Sequence, residues 1–194
     1  MGPPLRQAAA GELINPVATD ADLAARGLID VRVGARGGLR IASGDPERLI
    51  DAFSIQLRLM GLTRDELFEA MLAIEPVTAS LAAERATDAQ IECLRVMVAQ
   101  SCEVLDDPER FATLAVGFHQ ALAEMSNNRA LRASLAALRS TQLVHMGPPT
   151  TRPIAERVAR IHQAILDSIT ARDPALARER MLNHLAAVSG ASRI

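Results

Sequence analysis

The chain has 194 residues, 49% of them hydrophobic and only 2% aromatic, with no Trp and no Tyr. That length allows one large domain, or one domain with a smaller segment, around a core of aliphatic side chains. The net charge of −2 excludes a global basic field for DNA or anionic membranes, and the lack of aromatics argues against stacking platforms for single-stranded nucleic acid.

Residues 1–43 differ from the rest, with Pro and Gly clusters and the one convincing pair of β-prone runs. In TDADLAARG (19–27), Thr19 as N-cap and Gly27 as stop bracket a short helix. LIDVRV (28–33) and LRIA (39–42) flank the Gly-rich GARGG (34–38), which predicts a β-hairpin carrying Arg32, Arg36 and Arg40. A helix followed by such a hairpin is the back half of a winged helix. Its arginines either touch a DNA backbone or minor groove, or are solvated charges on a free-standing hairpin. Positions 15–25 hold Asp20 and Asp22 and no Lys or Arg, so this stretch lacks a basic recognition helix.

From Asp45 onward the pattern is helical throughout. Asp45-Pro46, Asp107-Pro108 and Asp173-Pro174 each place an Asp N-cap before a Pro at the first helical position. Thr63 with Glu66, and Thr87 with Gln90, have capping-box spacing. These signals predict helices near 45–60, 63–84, 87–104, 107–125, 128–145, 152–171 and 174–189. The loop HMGPPTTRP (145–153) is the clearest break. The expected fold is mainly α: an antiparallel bundle of about six to seven helices after a partial winged helix.

Cys93 and Cys102 fall on one predicted helix, more than ~10 Å apart along its axis at 1.5 Å per residue, so no disulfide joins them. No signal-peptide pattern opens the chain and no apolar run is long enough to span a membrane, so a cytoplasmic location is expected.

Three histidines border the apolar stripes of three separate predicted helices. His119 lies beside Phe111, Leu114, Phe118 and Leu122. His162 lies beside Ile154, Val158, Ile161, Ile165 and Ile169. His184 lies beside Met181, Leu185 and Val188. Convergent imidazoles suit a divalent transition metal and leave coordination positions open; scattered ones are ordinary core residues bonded to backbone or water. Periodicity leaves both readings standing.

The chain has no GxSxG, HExxH, Walker or GxGxxG motif. Glu75, beside Pro76, reads as a solvated or capping charge rather than a general acid. Asn127 and Asn128 read as a helix cap, and His145 has no evident partner.

The phrases GLIDVRVGARGGLRIA (27–42), EPVTASLAAERAT (75–87), FHQALAEMSNNRAL (118–131) and HQAILDSITARDPALARERMLNHL (162–185) together resemble GntR-type transcriptional regulators of the FadR subfamily. The helical part is similar to the FCD ligand-binding domain of that family. The resemblance implies residues 1–43 as a partial winged-helix segment and 44–194 as an effector-binding and dimerisation domain. It implies a homodimer that binds operator DNA and senses a small metabolite of the organic-acid or sugar-acid class. Many members hold a divalent metal with an Asp and three His. His119, His162 and His184 match the three imidazoles, implying zinc, nickel or manganese.

Ala115 stands where the family's Asp would fall, one turn before His119, and Met71 stands where an Arg often precedes the family's Glu. The resemblance offers Arg139 and Asn128 as candidate effector contacts. Two further readings remain: an effector-binding and dimerisation module that has lost autonomous DNA binding, and, more remotely, a metal-dependent bundle enzyme.

Overall fold

The computed structural model describes residues 19–25, 27, 29–32, 38–42, 45–144 and 150–190. The chain divides into two compact units, Met1–Arg48 and Leu49–Ile194.

The first unit contains α1 (Asp20–Ala25), β1 (Ile29–Arg32) and β2 (Gly38–Ile41). Thr19 caps α1 reciprocally: the Asp22 N–H donates to Thr19 Oγ1 at 3.1 Å, and the Thr19 N–H donates to Asp22 Oδ2 at 2.9 Å. Gly27 adopts φ +68°, the left-handed conformation that a helix stop requires. The strands pair antiparallel, with Asp30 opposite Arg40 and Val31 opposite Leu39. The expected hairpin is therefore present. Arg36, with the rest of residues 33–37, and His145 lie outside the described residues.

Among the described residues seven helices follow: α2 (Pro46–Leu59), α3 (Arg64–Arg85), α4 (Asp88–Glu103), α5 (Pro108–Met125), α6 (Arg129–Val144), α7 (Arg152–Thr170) and α8 (Pro174–Gly190). Their limits follow the caps. Both Thr boxes form, at Thr63–Glu66 and Thr87–Gln90. The three aspartates accept N–H bonds from Glu47 (3.0 Å), Arg110 (3.1 Å) and Leu176 (3.0 Å). Each bond satisfies a donor that the first helical turn leaves free.

Helix α3 is the centre of the bundle and packs against α5, α6, α7 and α8, while α4 packs on α5 and α7. Its buried residues accordingly include Leu67, Phe68, Met71, Glu75, Thr78, Ala79, Ala82 and Ala83. Small residues let the neighbours approach, which compensates for the scarcity of aromatics. Ser54 ties α2 to α6, its hydroxyl accepting from Ser140 Oγ at 2.7 Å.

One apolar stripe is displaced from its sequence-based position. On α7 the buried residues are Ala155, Ala159, His162, Ile165, Leu166, Ser168 and Ile169, with Val158 and Ile161 partly buried against the core, whereas Ile154 is exposed. The stripe selected by bulky aliphatics is rotated from the true contact face, because close packing selects the alanines. His162 therefore sits within the buried face rather than beside it. Among the described residues no helix is long and apolar enough to cross a membrane.

Candidate metal and effector centre

The three histidines converge. Phe118, His119 and Leu122 form the inward turn of α5; Ala159, His162 and Leu166 that of α7; Met181, His184 and Leu185 that of α8. The ring centroids form a nearly equilateral triangle, with 5.2 Å between His119 and His162, 5.3 Å between His119 and His184, and 5.0 Å between His162 and His184. One nitrogen from each ring lies within 4.8 Å of the other two. A tetrahedral ion bound at about 2.0–2.1 Å holds its nitrogens about 3.4 Å apart, so modest closure of the rings completes three legs of a shell.

Burial sets the charge state. His119, His162, His184, Glu75 and Arg139 are all 1–5% exposed. Desolvation pushes the His162 imidazole well below its usual range and lowers His184 to about 3, with the charges of His119 and Arg139 adding to both shifts. Burial and then Arg139 also lower His119, against the opposing pull of Glu75. At neutral pH the rings are neutral, the state in which imidazole ligates a metal. His162 Nε2 and His184 Nδ1 are buried and have no hydrogen-bond partner among the described residues. Buried polar atoms normally find partners, so orphaned imidazole nitrogens in one cluster fit a metal or a hydrogen-bonding ligand.

Glu75 corrects the sequence-based expectation. It is neither solvated nor a cap but among the most buried charges of the chain. Its Oε1 accepts from Arg139 Nη2 at 2.5 Å, and its Oε2 contacts His119 Nδ1. Burial alone would raise its pKa, but Arg139 and His119 outweigh burial and hold it at about 2. The signal was present in the sequence: Glu75 lies mid-stripe among Phe68, Met71, Thr78, Ala79 and Ala82, at helical spacing. A charge at such a position needs a buried partner.

The other expected site residues fall in different places. Arg139 does reach the centre, paired with Glu75. Asn128 does not join the histidines. Its side-chain oxygen accepts from the Ala130 and Leu131 N–H groups at 3.1 and 3.2 Å and caps α6. It lines a surface depression with Gln90, Glu124, Asn127, Arg129 and Arg132, which none of the three histidines lines. Ala115, one turn before His119, is half-buried against the cluster formed by Val104, Phe111, Ala155 and Ala159. Arg40 is exposed on β2, and Arg32 lies in β1.

Comparison with known proteins agrees with this architecture. The FCD domain matches residues 66–187. The chain is 31% identical over 181 residues to the HTH-type transcriptional repressor NanR of Citrobacter rodentium, covering 87% of this chain and 66% of that protein. It is 33% identical over 132 residues to a putative L-lactate dehydrogenase operon regulatory protein of Escherichia coli, covering 63% of this chain and 49% of that one. The chain thus spans about half to two thirds of the length of these relatives. Among solved structures, a Streptococcus agalactiae GntR shares the fold with a TM-score of 0.61 at 24% identity, over 88% of this chain and 78% of that one. The relatives named here are regulators rather than enzymes.

Proposed function

The chain belongs to the FCD-domain family of GntR-type proteins, and from that premise we propose that it is a ligand-responsive transcriptional regulator. In this reading residues 1–43 contribute a winged-helix segment that meets operator DNA, and 44–194 form the effector-binding and dimerisation domain. The protein acts as a cytoplasmic homodimer. The exposed apolar side chains Leu49, Phe53, Ile55 and Leu59 on α2 support a surface that a second copy covers.

The observation that carries the proposal is the triangle of buried, neutral imidazoles, with orphaned nitrogens on His162 and His184. His119, His162 and His184 hold a divalent transition metal such as zinc, nickel or manganese. When bound, that metal supplies a Lewis-acid centre for an oxygen donor. Ala115 contributes no ligand, so the remaining positions fall to water or to an effector carboxylate. The effector is a small organic or sugar acid. It packs between α5, α7 and α8 and biases the dimer between two presentations of its DNA-binding segments. Its leverage on DNA affinity equals its differential affinity for the two states.

The test is the metal content of the untagged protein beside His119→Ala. About one transition metal per chain in the wild type, lost in the variant, supports the centre. No metal in the wild type after reconstitution removes the metal from the proposal and leaves an organic pocket lined by imidazoles.

A second reading is a module without autonomous DNA binding that acts in mixed dimers with a longer relative. The acidic α1, with Asp20 and Asp22, and the pairing of Asp30 opposite Arg40 favour it, since both dilute positive charge near the hairpin. A gel-shift series on a palindromic site at low salt separates the two. Retention that falls steeply with salt supports the regulator, and no retention supports the module.

A further inference from the structure

Glu75, His119 and Arg139 come from α3, α5 and α6 and meet in the interior with one carboxylate between two nitrogen groups. Neither Glu75 nor Arg139 belongs to the set of potential metal ligands, which among the described residues comprises the three histidines. An ionised carboxylate this deeply buried needs compensation, and Arg139 Nη2 on Oε1 at 2.5 Å provides it. The other oxygen, Oε2, is turned to His119 Nδ1.

We infer that Glu75 is a positioning residue of the histidine centre, one that fixes His119 with its proton on Nδ1 and its Nε2 lone pair available to an occupant, with Arg139 as the counter-ion of the pair. The inference rests in part on the metal reading above, although the tautomer it specifies does not.

An ionised carboxylate only accepts hydrogen bonds, so the nitrogen it faces must be a donor. A neutral imidazole has one N–H, and in this geometry Nδ1, the nitrogen facing Glu75 Oε2, carries it. The single proton therefore resides on Nδ1 and the lone pair on Nε2. The reverse arrangement, a protonated Glu75 donating to Nδ1, would leave Arg139 facing a neutral acid in the core, the costlier state. A carboxylate accepting from the distal nitrogen of a metal-binding imidazole also fixes ring orientation and raises ligand basicity.

The other two rings have different supports. His162 is flat against Phe118, with centroids 4.0 Å apart and an interplanar angle of 7°. His184 stacks on His119, at 5.3 Å and 15°. An ordered His119 therefore orders His184 as well. Through Glu75 and Arg139, helices α3 and α6 contribute to the centre without supplying a ligand atom to it.

The experiment uses the full chain. Long-range 1H–15N correlation spectra of 15N-histidine-labelled, metal-free protein read each tautomer, with His119→Gln assigning the signal. The wild type should show His119 as the Nδ1–H form. In Glu75→Gln/Arg139→Gln, which removes both buried charges together, that form should give way to a mixture or to Nε2–H. Titration with Co2+, followed by its visible absorption, should show affinity about 10–100-fold weaker in the double variant than in the wild type.

An Nε2–H tautomer in the wild type overturns the inference, and this measurement stands even if the double variant fails to fold. A folded double variant with an unchanged tautomer and unchanged Co2+ affinity overturns it too, while leaving the metal reading intact. Absence of Co2+ binding in the wild type, together with a tautomer that depends on Glu75, defeats the metal reading and sustains the positioning role.

Discussion

Phe118 and His162 stack face to face from α5 and α7, 4.0 Å between centroids and 7° from parallel. The phenyl ring is itself fully buried, so His162 has one face sealed by hydrocarbon. This fixes the ring plane and strengthens the desolvation that keeps the imidazole neutral. Phe118→Leu should cost about 1–3 kcal/mol of stability and broaden the conformational range of His162. Denaturant unfolding reads the first effect, and line widths of the His162 ring signals read the second. An unchanged His162 signal in a destabilised variant would reduce Phe118 to a simple packing residue.

Acid should destabilise the protein earlier than carboxylate titration alone predicts. His119, His162 and His184 have folded-state pKa values below 6.5, so as pH falls through 6.5 the unfolded chain takes up protons that the folded chain refuses. Stability should be level above pH 7 and decline below 6.5, by up to about 1.4 kcal/mol per pH unit for each buried histidine. Glu75 adds a stabilising contribution that is fully present above pH 4.5 and is lost as pH falls towards about 2. Urea unfolding of metal-free protein at stepped pH measures the slope, and His162→Gln should make it shallower. A midpoint constant from pH 7 to 5 would contradict neutral burial of these rings.

Ala115 lies one helical turn before His119, on the same side of α5. Ala115→Asp places a carboxylate where a fourth protein ligand can reach the centre. Metal affinity should rise by on the order of tenfold or more. In the metal-free state the same substitution should be destabilising, because it adds an unpaired, partly buried acid. Competition with a chromophoric chelator reads the affinity and thermal melting the stability. Equal affinities for the two proteins would place position 115 out of reach of the histidines.

The capping boxes provide a stability change far from the site chemistry. Thr87→Ala removes the acceptor for the Gln90 N–H, a bond of 3.2 Å at the start of α4. The expected loss is about 0.5–2 kcal/mol, with metal stoichiometry unchanged. A fall in metal content would indicate that the centre depends on overall stability rather than on its own residues.

Most helix limits were legible because they rest on local chemistry. The Asp-Pro starts, the two Thr boxes and Gly27 state their roles within three or four residues, and each forms the expected bond or backbone conformation. The histidines were legible as members of apolar stripes, but their meeting was not. Convergence depends on how α5, α7 and α8 are rotated about their axes, and the α7 stripe chosen from bulky residues was rotated from the true one. Glu75 was misread for a related reason: its partners Arg139 and His119 lie 64 and 44 residues away in sequence, and only the packing of α6 and α5 onto α3 brings them together.

The central place of α3 has a consequence for the order in which the protein matures. Helix α3 ends at Arg85, and α8, which covers it most extensively, begins at Pro174. A ribosome adding 5–20 residues per second needs roughly 5–20 s to make the intervening stretch. Throughout that interval the face of α3 intended for α8 has no native cover, and nascent chains in this state are natural clients for a chaperone. His184 is also the last of the three imidazoles to emerge, so loading of the centre awaits the synthesis of α8.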